Sequence, residues 1–102
     1  MTKRLIVTAR LYGGEVFTVT GQEARTLSLL IERGRRGLAA WDTPSGPPWR
    51  LAAYIADLRH KFGVPIAREW EAHAGGRHAR YRLIGAVEIV SVTEPAKVEA
   101  VA

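Results

Sequence analysis

Two apolar runs open the chain. Residues 4–10 and 15–19 are rich in Val, Ile, Leu, Thr and Phe, and Tyr12-Gly13-Gly14 lies between them. Runs of this kind around a glycine turn predict a β-hairpin over residues 4–19. The hydrophobic period then changes. Ala24, Leu27, Leu30 and Ile31 recur at helical spacing. Ahead of them Thr20 and Glu23 have the spacing of a capping box, in which hydroxyl and carboxylate satisfy exposed N–H groups reciprocally. Gly34 ends the helix, and Arg33, Arg35 and Arg36 suit its negative C-terminal end.

Residues 38–42 form a short apolar segment stopped by Thr43-Pro44, which limits a second helix to one or two turns. Ser45-Gly46-Pro47-Pro48 is a tight link. The clearest helix follows: Leu51, Ile55, Leu58 and Phe62 make one apolar face, Pro48 suits the first helical position and Gly63 terminates it. Pro65-Ile66 opens a strand running to about Ala72. Ala74-Gly75-Gly76 turns it and residues 79–83 return, with alternation visible in Ile66, Arg68 and Trp70 and again in Tyr81 and Leu83. The order is hairpin, helix, short helix, turn, helix, hairpin. The last four elements have the order of a winged helix. Residues 86–92 can add one more strand. The organisation expected is a single domain over 1–92, with the hairpin at 4–19, a helical core at 20–63, a wing at 64–84 and a loose tail at 93–102. A chain of 102 residues supports one domain and no more.

Composition narrows the function. Without cysteine, disulfides, thiolate chemistry and a cysteine zinc site are excluded, and a reducing cytoplasm fits. His60, His73 and His78 are the conceivable metal ligands, but no metal site is expected. No apolar run approaches the roughly 20 residues that span a bilayer. The net charge of +5 is unevenly spread: residues 1–84 carry fourteen basic and seven acidic groups, and residues 85–102 one and three. A basic folded part attracts polyanions, nucleic acid above all.

Two segments can carry that chemistry. On helix 49–62 the apolar face must pack inward, so Arg50, Ala53, Asp57, His60 and Lys61 point outward with Tyr54 at the margin. Small Ala53 lets the backbone approach a groove wall. Arg50 lies in the first turn, where such helices contact base edges, and its fork matches guanine O6 and N7. The second segment is the hairpin tip. Arg77-His78-Ala79-Arg80-Tyr81-Arg82 sets three arginines and a histidine beside Gly75-Gly76, with no acid between Glu71 and Arg82. A basic tip can follow a phosphate backbone or enter a narrow minor groove. Trp41, Trp49 and Trp70 read as packing residues. No nucleophile motif, P-loop or dinucleotide glycine pattern occurs, and no enzyme, cofactor or small-molecule ligand is implied.

The stretch Trp49-Arg50-Leu51-Ala52-Ala53-Tyr54-Ile55, then Leu58-Arg59, Gly63 and Pro65-Ile66, and the tip from Gly75 to Leu83, resembles small stand-alone winged helix-turn-helix DNA-binding proteins of proteobacteria and their prophages. The resemblance covers about residues 20–84. It implies an α+β fold with a three-helix core and a C-terminal β-wing that binds double-stranded DNA. The N-terminal hairpin is an addition to that pattern. The expectation is a bacterial or phage-derived transcriptional regulator, or a recombination accessory factor, in the cytoplasm. Arg50, Ala53, Tyr54, His60 and Lys61 enter or border the major groove, and Arg77, His78 and Arg80 hold backbone or minor groove. A homodimer would read two half-sites. The alternative is a winged helix that binds a protein partner instead of DNA, favoured by Asp57, whose carboxylate repels phosphate.

Overall fold

The computed structural model describes residues 5–11, 14–42 and 48–93, the side chains of Pro48 and Trp49 apart. The turn at 12–13, the link at 43–47 and the tail from residue 94 lie outside the described residues. In chain order the elements are β1 (Ile6–Leu11), β2 (Val16–Thr20), α1 (Gly21–Arg33), α2 (Pro48–Phe62), β3 (Ile66–His73), β4 (Gly76–Leu83) and β5 (Val87–Thr93). Two 3₁₀ turns, Gly34–Arg36 and Ala40–Asp42, stand between the helices.

β1 and β2 pair antiparallel, from Ile6↔Thr20 to Arg10↔Val16. Alternation sends Val7, Ala9 and Val19 into the core. On the other face the hydroxyls of Thr8 and Thr18 hydrogen-bond at 3.2 Å. β5 joins the free edge of β1, giving the order β2-β1-β5. Its register slips between Thr8 and Ala9, where Val90 is the unpaired residue of a bulge. Thr93, expected to begin the loose tail, is still paired, opposite Ile6.

Thr20 is the N-cap of α1, with extended backbone (φ −134°, ψ 159°), but it makes no side-chain capping bond. The expected capping box is corrected here. Thr20 is also the last residue of β2 and lies exposed, and Glu23 turns instead to Asp57 of α2. Ala24, Leu27 and Leu30 are buried as their spacing predicts. Thr26 is buried beside them, its hydroxyl donating to the Gln22 carbonyl at 2.8 Å. Gly34, at φ 53°, ends the helix with its N–H on the Leu30 carbonyl.

The three-helix core is not matched: the described residues contain two α-helices. The segment expected as the middle helix does something else. Leu38 exchanges both backbone hydrogen bonds with Tyr81 (2.8 and 2.9 Å), which holds it extended along the free edge of β4. Asp42 then accepts the Ala39 N–H at 2.9 Å, and only the 3₁₀ turn Ala40–Asp42 follows. Leu38 and Ala39 are fully buried, so the apolar pattern that suggested a helix face is satisfied by a bridge strand.

In α2, Leu51, Ile55 and Leu58 are buried against Leu27 and Leu30 of α1, each worth roughly 1.5–3 kcal/mol of burial. Phe62 stacks on Phe17 of β2, ring centroids 5.5 Å apart, and so ties the helix to the N-terminal sheet. Gly63, at φ 69°, closes α2 with its N–H on the Arg59 carbonyl. β3 and β4 form the wing hairpin, paired from Ile66↔Leu83 to His73↔Gly76. Ile66 and Tyr81, at its base, complete the core.

Candidate nucleic-acid interface

The burial of Leu51, Ile55 and Leu58 fixes which side of α2 faces outward. Arg50, Ala52, Ala53, Ala56, Arg59, His60 and Lys61 are exposed, and Tyr54 is half-buried at the margin. Arg59 was not among the expected contacts, although the same helical wheel places it on this face. Three alanines across the centre leave the backbone open to close approach. Cations flank them. The single acid of α2 does not sit free among them. Asp57 lies 3.8 Å from Lys61 and hydrogen-bonds Glu23 of α1. That hydrogen bond, followed by burial and the Asp57 charge, raises the Glu23 pKa above the ordinary carboxylate value.

The wing has two unlike faces because its register pairs residues side by side. Glu69 lies opposite Arg80, and Glu71 opposite His78. On that face Arg80 Nε donates to Glu71 Oε1 at 2.9 Å, and its Nη1 donates to the Arg36 carbonyl at 3.0 Å. Asp42 Oδ2 lies 3.6 Å from the same guanidinium. Arg82 donates to the Arg35 carbonyl at 2.7 Å and pairs with Glu69. His78 Nε2 meets Glu71 at 2.8 Å, and its ring stands edge-on to Trp41, centroids 4.2 Å apart. The Arg80 guanidinium, then the His78 ring, hold the Glu71 carboxyl below its ordinary pKa.

On the opposite face, Arg77 and Arg68 carry their guanidiniums 4.7 and 5.2 Å from the ring of Trp70. Both arginines are exposed. Trp70 is 51% exposed and Trp41 61%, which corrects their reading as packing residues. The sequence holds no signal for this, because β3 projects beyond the core and Trp70 sits past the last buried pair. A cleft separates the wing from α2. Leu51 and Ala52 line one side of it, and Trp70 and Arg77 the other. The expected site residues therefore divide. Arg50, Ala53, Tyr54, His60 and Lys61 share one helix, and Arg77 stands across the cleft from its N-terminal half. His78 and Arg80 are engaged within the fold. His73, whose ring centroid lies 5.0 Å from that of His78, bonds the neighbouring Ala74 carbonyl. Among the described residues no three His, Asp or Glu groups converge as a metal site would need.

The described arrangement is a two-stranded wing following an exposed, cation-flanked helix. The family model described as winged helix domain matches residues 16–93. The chain belongs to that family. No curated protein and no solved structure matches the chain. The winged helix assignment spans β2 through β5 and leaves β1 outside the match. Winged helix domains are DNA-binding modules in general and are typically not enzymes. No helix among the described residues is long and apolar enough to cross a membrane.

Proposed function

We propose that this winged helix binds double-stranded DNA as a bacterial or phage-derived transcriptional regulator or recombination accessory factor. In this reading the outer face of α2 enters the major groove and the wing lies along the adjacent backbone or minor groove. The observation that carries it is the placement of charge. The outward face of α2 shows small residues and cations, its one acid lies 3.8 Å from the Lys61 ammonium, and Arg77 stands across the cleft. Counterion release from such a surface supplies affinity without sequence information.

Arg50 and Tyr54, in the N-terminal half of α2, are the base-reading residues of this proposal, and Ala53 permits the approach. His60, Lys61 and the added Arg59 border the groove. In the wing, Arg77 and Arg68 face phosphate, and Arg80 and His78 stiffen the hairpin that presents them. The rival reading, a winged helix for a protein partner, leaned on Asp57 as an exposed acid. The Lys61 ammonium, 3.8 Å away, offsets that charge and weakens the argument.

Selection of bound sites from a random DNA library tests the proposal. A recovered motif is expected, and a palindromic one also reports a dimer. Arg50→Ala should then lower the preference for that motif over random duplex by ~1–3 kcal/mol. Equal losses on both DNAs remove Arg50 from base contact, and no enriched motif removes the sequence-reading role.

A further inference from the structure

A DNA-binding surface explains the cations but not the two exposed indoles. Trp41 and Trp70, 61% and 51% exposed, both line the cleft between α2 and the wing. Its volume is about 460 Å³, within the roughly 300–1,000 Å³ of small-molecule sites. The walls are largely apolar: Leu51 and Ala52 of α2 face Trp70 across the opening. The charge in the cleft is positive. Arg77, with its guanidinium 4.7 Å from the Trp70 ring, carries that charge beside the indole. No acid lines it.

A continuous duplex backbone matches the cations but cannot use the indoles, because paired bases are stacked on each other. A ligand that uses both must carry a flat aromatic ring and an anionic group a few ångströms apart. We infer that the cleft receives a single nucleotide, its base stacked on Trp70 or Trp41 and its phosphate met by Arg77. Such a nucleotide can come from an unpaired position in a DNA strand or from free mononucleotide. The apolar wall favours the base, which sheds water cheaply there, and stacking tolerates any base because each has a π-face. This inference rests on the DNA-binding reading only for the strand as source; the cleft itself does not require it.

The test is anisotropy of labelled oligothymidylate of ten nucleotides against the full chain, beside a labelled blunt duplex, with deoxythymidine 5′-monophosphate as competitor. Stacking is worth ~1–3 kcal/mol per base, so Trp70→Ala should weaken oligothymidylate binding by roughly 5- to 150-fold. Trp70→Phe should restore most of it, and both variants should bind duplex within about threefold of the parent chain. Trp70 is exposed, so an unchanged melting temperature checks that the wing is intact. Competition by the mononucleotide supports free nucleotide as a source as well. Binding of the strand without that competition supports the unpaired position in DNA. Three results overturn the inference: oligothymidylate binding unchanged in both Trp70→Ala and Trp41→Ala, parallel loss of strand and duplex, or duplex binding by a chain that takes neither strand nor mononucleotide. The last leaves the duplex reading standing. Binding of strand without duplex does the reverse.

Discussion

The arginines of the wing are chemically identical and structurally unlike. Arg80 has 16% of its side chain exposed and spans Glu71, the Arg36 carbonyl and Asp42, whereas Arg77 lies over an exposed indole. Alternation in the sequence separates their faces but cannot say which face meets the rest of the protein. The partners that decide it lie far away in the chain; Arg36 is 44 residues from Arg80. Two substitutions therefore diverge. Arg80→Ala should cost ~1–3 kcal/mol of stability in a denaturant titration, because it breaks charged hydrogen bonds in a half-buried network. Its DNA affinity should fall only as far as the folded fraction does. Arg77→Ala should leave the denaturation midpoint within about 0.5 kcal/mol, weaken binding to all duplexes, and flatten the salt dependence by about one unit of log–log slope. Ala53 was legible as outward-facing, and Tyr54 as marginal, because helical period alone settles that. The exposure of Trp41 and Trp70 was not legible, because it depends on how far the wing projects.

Among elements, the wing is held from beneath by the segment between the helices. Gly37 sits at φ 70°, and a Cβ there would approach Arg80 Cγ to 2.8 Å, Arg82 Cγ to 2.9 Å and the Tyr81 carbonyl oxygen to 2.9 Å. Gly37→Ala should cost ~1–3 kcal/mol from the backbone conformation alone, more with the clash, and should lower the thermal midpoint. α2 and the hairpins were legible because their periods are unbroken and glycine or proline marks their ends. The middle helix was misread because four apolar residues, Leu38 to Trp41, fit either a helical turn or a buried bridge strand. Only the remote Tyr81 backbone distinguishes them.

The α1–α2 contact carries an electrostatic cost that pH reveals. Glu23 has a raised pKa, chiefly through its hydrogen bond with Asp57, so the favourable protonated pair contributes below the ordinary carboxylate pKa and is lost as pH rises through the raised value. At neutral pH, Glu23→Gln keeps a donor for Asp57 and removes the repulsion. It should stabilise by a fraction of a kcal/mol at pH 7, with the gain vanishing in acid. Glu71 behaves oppositely. Its lowered pKa means that its pairing with Arg80 and His78 is fully present at neutral pH and lost as pH falls through the depressed value.

At the scale of the whole molecule, the N-terminal sheet and the wing stand at different parts of one core, joined through the two helices. β5 closes the sheet against β1, so the end of the described chain returns to its beginning. Its sequence announced a strand but not this partner, since both hairpins offered edges. The charge asymmetry, by contrast, could be read directly. The basic groups gather in residues 1–84; those of α2 lie on its exposed face, and Arg77 of the wing lines the cleft between the two. Titration of a labelled random-sequence duplex from about 50 to 200 mM salt tests whether this surface binds duplex DNA through phosphate contacts. Binding near micromolar is expected at the low end, falling with a log–log slope of roughly −3 to −5. No binding at low salt, or binding indifferent to salt, contradicts it.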